Sequence, residues 1–343
     1  MSNKQRILVT GGAGYIGSHT IIELLSRPGF EVVSADNYSN SSSETYRRIK
    51  TITGKDVAYA EIDLCDRQAV KKLFEDFPGI TGVIHFAAFK SVPESVEKPA
   101  AYYRNNLVSL INVLEACTAY GVARFIFSSS CSVYGNIGSL PVNEDTPVAA
   151  AESPYGYTKI AGEQILKDFT VAFPSLHAIA LRYFNPAGAH PSGLIGEIPL
   201  NRPNNLVPVI TRTAIGKQNE VVVFGDDYDT RDGTCIRDYV HVCDIAEAHV
   251  LAIDYLQKNA GAKAYDVINL GTGSGVTVLE AIKAFERVAG KPLNYRIGPR
   301  RSGDVIAIFS DSSKAHRILG WNPHHALDEM MSSAWKWELH LAK

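Results

Sequence analysis

Apolar residues in this chain come in short dense runs, separated by stretches where they recur every three or four positions. Arg6 to Thr10 reads Arg-Ile-Leu-Val-Thr and stops at Gly11-Gly12, as a strand buried on both faces does. From Tyr15 to Ser26 the residues Ile16, Ile21, Leu24 and Leu25 share one helical face, and Phe30 to Ala35 then forms a second strand ending at Asp36. Further strands are predicted at Val57-Ala60, Gly82-His85, Arg124-Phe127 and His177-Leu181, with helical periods between them. This alternation predicts an α/β fold, a doubly wound parallel sheet of the Rossmann type. After about Asn185 the pattern breaks. Pro186, Pro191, Pro199, Pro203 and Pro208 interrupt any long element, so 185–238 is expected to be loop-rich. A helical stretch at Cys243-Gln257 and a strand at Asp266-Leu270 then return. The expected organisation is a dinucleotide-binding domain over 1–184, with a returning segment near 238–265, and a smaller mixed α/β substrate domain over 185–343.

Length supports that division, since 343 residues exceed what one hydrophobic core usually sustains. A net charge of −2 gives no electrostatic reason to expect nucleic acid or an acidic membrane as partner. Five cysteines (Cys65, Cys117, Cys131, Cys235, Cys243) form no Cys-x-x-Cys pair and read as free thiols. No run of 18 apolar residues occurs and residues 1–5 lead straight into the first strand, so a cytoplasmic protein is expected. The histidines lack metal-ligand spacing, His324-His325 reads as surface, and no metal is expected. No Gly-x-Ser-x-Gly elbow points to a hydrolase.

Two constellations carry chemistry. The first is Gly11-Gly12-Ala13-Gly14-Tyr15-Ile16-Gly17, placed after a strand and opening a helix. Gly11 suits the tight turn, Gly14 the close approach of a pyrophosphate, and Gly17 the packing of helix on strand. The helix N-terminus adds unpaired N–H groups for an anion. Asp36, at the end of the second strand, stands where a carboxylate takes the adenosine ribose hydroxyls and repels a 2′-phosphate, favouring NAD over NADP. Asp63, after the third strand, reads equally as an adenine contact or a strand-end cap. The second constellation is Ser128-Ser129-Ser130 with Tyr155 and Lys159 downstream. Ser153-Pro154 starts a helix, so Tyr155 and Lys159 lie one turn apart on one face. A tyrosine with a pKa near 10 is a poor base, but a neighbouring ammonium and a positive nicotinamide ring favour its phenolate. Ser130 can orient the substrate oxygen. Tyr157 has Ala161 four residues on and lacks such a cation.

The motifs taken together resemble those of the UDP-glucose 4-epimerases (UDP-galactose 4-epimerases) of the extended short-chain dehydrogenase/reductase superfamily. The resemblance rests on the segments 11–20, Asp36-Asn37, His85 to Lys90 and Ser153 to Lys159. It continues through Leu181 to His190, Pro203-Asn204-Asn205-Leu206, Arg237 to His241 and Pro299 to Asp304 with Ser302-Gly303, covering about residues 6–337. It implies Tyr155 as base, Lys159 as its partner cation and Ser130 as the substrate-orienting hydroxyl. It places Gly11, Gly14, Tyr15, Ile16, Gly17, Asp36, Asn37, Asp63, Leu64, Phe86, Ala87, Lys90, Asn105, Tyr183 and Phe184, with Tyr155 and Lys159, around NAD. Ser130, Ser132, Asn185, Asn205, Leu206, Phe224, Arg237, Tyr239, Arg301, Asp304 and Ile308 are placed around a UDP-hexose. A homodimer through the helices around Ala100-Tyr120 and Ser153-Thr170 is implied as well.

Such a protein would oxidise the sugar at C4, let the 4-ketose turn over, and reduce it on its other face. Two departures from the family pattern stand out. Cys131-Ser132 replaces the commoner Ala-Thr, with the second hydroxyl kept. Ile308 occupies a position where Tyr goes with exclusion of N-acetylated sugars and small residues with their acceptance, and a branched aliphatic is neither. A UDP-N-acetylglucosamine 4-epimerase, or one of dual specificity, is therefore the alternative. A nucleotide-sugar 4,6-dehydratase is more remote, because it needs an Asp-Glu or Ser-Glu pair where Cys131 and Ser132 stand.

Overall fold

Seven parallel strands form the main sheet, and side chains along its inner strands alternate between two separate cores. In a computed structural model the described residues are 4–198, 203, 205–259, 262–301 and 304–343. Pro199, Asn204, Ser302 and Gly303 lie outside them. The first six strands are β1 (Gln5–Thr10), β2 (Phe30–Asp36), β3 (Ala58–Glu61), β4 (Ile80–His85), β5 (Arg124–Ser130) and β6 (His177–Tyr183). The seventh is Tyr265–Leu270, and the order across the sheet is Tyr265–Leu270, β6, β5, β4, β1, β2, β3. Ile7 and Val9 join one core with Val32, Ile84, Ile126 and Ile179, whereas Leu8 joins the other with Val33, Val83, Phe125 and Phe127. That two-sided burial is why these strands read as continuous apolar runs rather than alternating ones.

The helix Tyr15–Ser26 covers the first face by burying Ile21 and Leu24 completely. Each such side chain contributes roughly 1.5–3 kcal/mol relative to exposure. The helix Val242–Lys258 shares this core through Ile245, Val250 and Ile253, so the chain returns to the sheet after leaving it at residue 184. Ile308, Ala315, Leu319 and Trp321, far along the chain, join the same core.

Beyond 184 a third core gathers Val207, Ile210, Val221, Val223, Phe285, Met330 and Met331. The segment expected to be loop-rich contains the helix Leu206–Ala214. Pro208 does not prevent it, because a proline in the first turn removes an N–H that has no acceptor within the helix. Short strands complete this part. Asn185–Ala187 pairs with Tyr239–His241, Val221–Phe224 with Tyr295–Gly298, and Ile236–Arg237 lies between Val276–Thr277 and Ala307–Ile308. His325 is not a surface group as expected: its Nδ1 lies 2.7 Å from the buried Asp244 carboxylate, while His324 is exposed. Asp244 opens the Val242–Lys258 helix and draws the imidazole inward.

Candidate active site

The carboxyl ends of β1, β2, β4, β5 and β6 converge where the strand order reverses between β1 and β4, the usual crevice for a ligand in such sheets. β5 runs three residues further than predicted because Ser128, Ser129 and Ser130 pair with Leu181, Arg182 and Tyr183. Opposite it, the Ser153 hydroxyl accepts the Gly156 N–H at 3.1 Å and Pro154 takes the first helical position, starting the helix Pro154–Ala172. Tyr155 thereby falls in the first turn and Lys159 one turn later, with the ammonium 5.7 Å from the Tyr155 ring centroid. Lys159 is buried and donates to the Ser128 carbonyl at 2.6 Å. The Ser130 hydroxyl acts on the Tyr155 phenol, favouring its ionised form. It also accepts the Ser132 N–H at 3.2 Å. Tyr183 bonds the Ser128 hydroxyl beneath them.

The electrostatics differ from the expectation of a phenol made acidic by its lysine. Burial pushes Tyr155 up to about 12, with the Ser130 hydrogen bond pulling the other way. Burial also lowers Lys159 to about 8, which the Glu163 carboxylate partly offsets. Within the chain itself desolvation wins over the ion–phenol attraction. The ammonium is thus present below pH 8 and lost as the pH rises through it, while the phenol stays protonated. Between about pH 7 and about pH 9.5 turnover at saturating substrate is expected to fall with a midpoint near the Lys159 value. A Lys159→Met enzyme should be slow throughout and lack that limb; a flat wild-type profile would remove Lys159 from the proton chemistry.

The glycine turn is sterically committed. Gly11 sits at φ 67°, and a Cβ there would lie 2.8 Å from the Ala87 nitrogen. At Gly17 a Cβ would lie 2.3 Å from the Gly11 carbonyl oxygen, so helix and strand meet only because this residue has no side chain. At Gly14 the only close atom is that same carbonyl, at 3.1 Å, which leaves its outer side open to an approaching ligand. Gly12, not singled out from sequence, is as tight: a Cβ would meet the Ser34 hydroxyl at 2.0 Å. The Gly11-Gly12 doublet was its only local signal. Asp36 is buried, taking the Ala13 N–H at 3.0 Å, the Tyr38 N–H at 2.9 Å and the Ser41 hydroxyl at 2.7 Å. A carboxylate has about four acceptor sites, so it retains capacity for one more donor. Asn37 is exposed, Asp63 accepts the Cys65 N–H at 2.9 Å, and Leu64 is buried beside it. Ile16, Phe86, Ala87 and Asn105 are half-buried at the rim, and Phe184 is buried under it. Tyr15 donates to the Gly188 carbonyl at 2.6 Å, and Lys90 is ion-paired to Glu197 at 2.7 Å.

A second recess of about 460 Å³ opens among the short strands, within the range of small-ligand sites. Asn185, Asn205, Leu206, Phe224, Arg237, Tyr239, Arg301 and Asp304, which the resemblance places around a UDP-hexose, all line it. Arg301 pairs with Asp304 at 2.7 Å and stands 5.3 Å over the Phe224 ring, while Arg237 lies 3.6 Å from the same carboxylate. Two cations thus face one recess around a single carboxylate, an arrangement suited to a dianion. The buried Asn185 Oδ1 has no partner among the described residues, and neither has the buried Ser132 Oγ. Pro93, Gln218, Cys235 and Val278 also line the recess, and nothing local in sequence marked them. Ile308 is buried next to it, its backbone paired in register with Arg237.

Comparison with known proteins accounts for this geometry. The family described as GDP-mannose 4,6 dehydratase matches residues 8–334. UDP-glucose 4-epimerase of Bacillus subtilis (strain 168) is 51% identical over 332 residues, 97% of this chain and 96% of that protein. The chain belongs to the UDP-glucose 4-epimerase family. The crystal structure of UDP-glucose 4-epimerase from Bifidobacterium longum in complex with NAD+ and UDP matches with a TM-score of 0.93 and 47% identity, covering 98% of both chains. The enzyme from Stenotrophomonas maltophila, with bound NAD and formylated UDP-arabinopyranose, matches with a TM-score of 0.94 and 45% identity, covering 98% of this chain and 99% of that one. The dehydratase chemistry named by the broader family finds little support in this epimerase-family site. Burial pushes the Cys131 thiol up to about 12, and Ser132 beside it is no stronger an acid or base.

Proposed function

We propose that this protein interconverts UDP-glucose and UDP-galactose by oxidation at C4 of the hexose, turnover of the 4-keto sugar, and reduction on the opposite face. The observation that carries this reading is the Tyr155–Lys159 pair at the end of β5, the buried ammonium 5.7 Å from the phenol ring and bonded to the Ser128 carbonyl, in a chain that also carries the glycine turn and the two-arginine recess. Residues 1–184 with the segment near 238–265 form the NAD-holding body in this reading, and 185–343 the UDP-sugar body. NAD, held by the open face of the glycine turn and by Asp36, supplies the hydride acceptor and donor.

The remaining work belongs to side chains. Tyr155, as the phenolate that the bound nicotinamide charge and Lys159 would favour, takes the proton of the 4-hydroxyl and as phenol returns it, so the chain's acid–base inventory is unchanged over a cycle. Ser130 orients that oxygen through its hydroxyl. Lys159 stabilises the negative charge that the Tyr155 oxygen carries before it takes the proton and after it returns it. Arg237 and Arg301 hold the diphosphate, while Asn185, Asn205, Phe224 and Tyr239 hold the nucleoside. That grip leaves the hexose with little of its own, which lets it present either face.

The protein is further proposed to be a cytoplasmic homodimer. No described helix is long and apolar enough to cross a membrane. Tyr103, Ile111 and Tyr157 are exposed, with the Tyr103 and Tyr157 rings 5.9 Å apart edge to face, and they form an apolar patch on the two helices expected to pair. Sedimentation equilibrium should return about twice the chain mass of 37.4 kDa.

The test of function is direct. Protein purified without added cofactor should convert UDP-glucose to UDP-galactose, resolved by proton NMR; a preparation that needs NAD in excess and accumulates NADH would point to a net dehydrogenase. A parallel incubation with UDP-N-acetylglucosamine tests the second reading, which Ile308 favours. Its buried aliphatic side chain offers no hydroxyl to a sugar and less bulk than a tyrosine. Measurable epimerisation, slower than that of UDP-glucose, is expected.

A further inference from the structure

Glu197 lies between the two sites and was marked by nothing in the sequence. Its backbone is fixed: the carbonyl accepts the Trp337 indole N–H at 2.9 Å, and neighbouring Gly196 bridges to Ala189. A Cβ at Gly196 would lie 2.5 Å from the Trp337 ring, so this segment cannot shift against the C-terminal helix. The carboxylate is mostly shielded, and a single oxygen, Oε1, receives both the Lys90 ammonium at 2.7 Å and the Asn205 side-chain N–H at 3.0 Å. Its charge also reaches Tyr15, whose phenol is held well above the ordinary range by burial first and Glu197 second. Lys90 follows β4 on the glycine-turn side, with its ammonium 5.9 Å from the Tyr15 ring, whereas Asn205 lines the recess.

We propose that Glu197 is a positioning residue that couples the dinucleotide site to the UDP-sugar recess by sharing one carboxylate oxygen between Lys90 and Asn205. Each partner has a narrower range of orientations when the other is in place. Filling the recess fixes Asn205, which fixes Glu197 and with it Lys90, so a bound UDP moiety should slow the loss of cofactor. Reciprocity follows from linkage. The inference rests on the function proposed above.

The experiment uses the holoenzyme as purified, with UDP as probe, and reads UDP affinity by calorimetry and NAD loss by ultrafiltration. In the wild type, saturating UDP is expected to slow NAD loss. Glu197→Gln keeps an acceptor for Asn205 but removes the charge facing Lys90. Its UDP dissociation constant should stay within about twofold of wild type, while the effect of UDP on NAD loss disappears. Glu197→Ala should also weaken UDP by about fivefold, because Asn205 loses the acceptor that orients it. Lys90→Met approaches the link from an exposed side chain and should abolish the UDP effect even if Glu197→Ala folds poorly. Persistence of the UDP effect in Glu197→Gln or Lys90→Met overturns the proposal, as does its absence in the wild type. A wild type that holds no NAD or binds no UDP would instead overturn the function itself.

Discussion

Tyr155→Phe is expected to lower the interconversion of UDP-glucose and UDP-galactose by a factor on the order of 10² to 10⁴, the usual contribution of a positioned acid–base group. The substitution removes one oxygen and leaves the ring, so packing against the neighbouring turn is retained. Stability should change little, because the lost hydroxyl is desolvated and the neighbouring Ser130 hydroxyl keeps its contact with the Ser132 N–H. Retained cofactor should likewise match the wild type, since the glycine turn and Asp36 lie on other elements. Ser130→Ala should cost less than Tyr155→Phe, as it orients the oxygen without exchanging its own proton. A Tyr155→Phe enzyme turning over at more than about a tenth of the wild-type rate would remove the phenol from the proposed chemistry.

Gly17→Ala should have the other large effect, and through a different cause. The added carbon would stand 2.3 Å from the Gly11 carbonyl oxygen and 2.9 Å from the Gly12 Cα, both backbone atoms. Gly11 cannot retreat, because its own close approach to Phe86 and Ala87 fixes it from behind. The start of the helix Tyr15–Ser26 must therefore move outward, taking the N–H groups that would face the pyrophosphate. Overpacking of this sort costs about 1–3 kcal/mol, a melting decrease of several degrees for a chain of this size. Cofactor retention should fall further than stability does. Gly14→Ala, with one contact at 3.1 Å, is the milder control. Wild-type NAD content in purified Gly17→Ala protein would show that the turn has no part in holding the dinucleotide.

The half of the fold that was legible in sequence is the half built by local rules. Ile7, Leu8 and Val9 declare a two-sided strand by composition alone, and Ser153-Pro154 declares a helix start, so the sheet and the Tyr155–Lys159 face follow from neighbours in the chain. The part beyond residue 184 relies on distant pairings. Ile236–Arg237 and Ala307–Ile308 are two residues long and exist as strands only because they meet across the fold. No periodicity can announce such elements, and their residues were recognised through the family resemblance. Glu197 escaped for the same reason, as its cation partner follows β4, far away in sequence. The upward pull of burial on the Tyr155 phenol was not legible, because spacing reveals a neighbouring ammonium but not how much water the fold takes away.

The excursion of the chain away from the sheet and back has a mechanical result. The strand Tyr265–Leu270 closes the outer side of β6, pairing with it from Ala178 to Tyr183, and the helix Val242–Lys258 roofs the same region. A fragment ending at residue 184 would leave the hydrophobic edge of β6 bare, ready to recruit another such fragment into a growing ribbon. The part ending at residue 184 is thus not an autonomous cassette: cutting there would expose a template for aggregation.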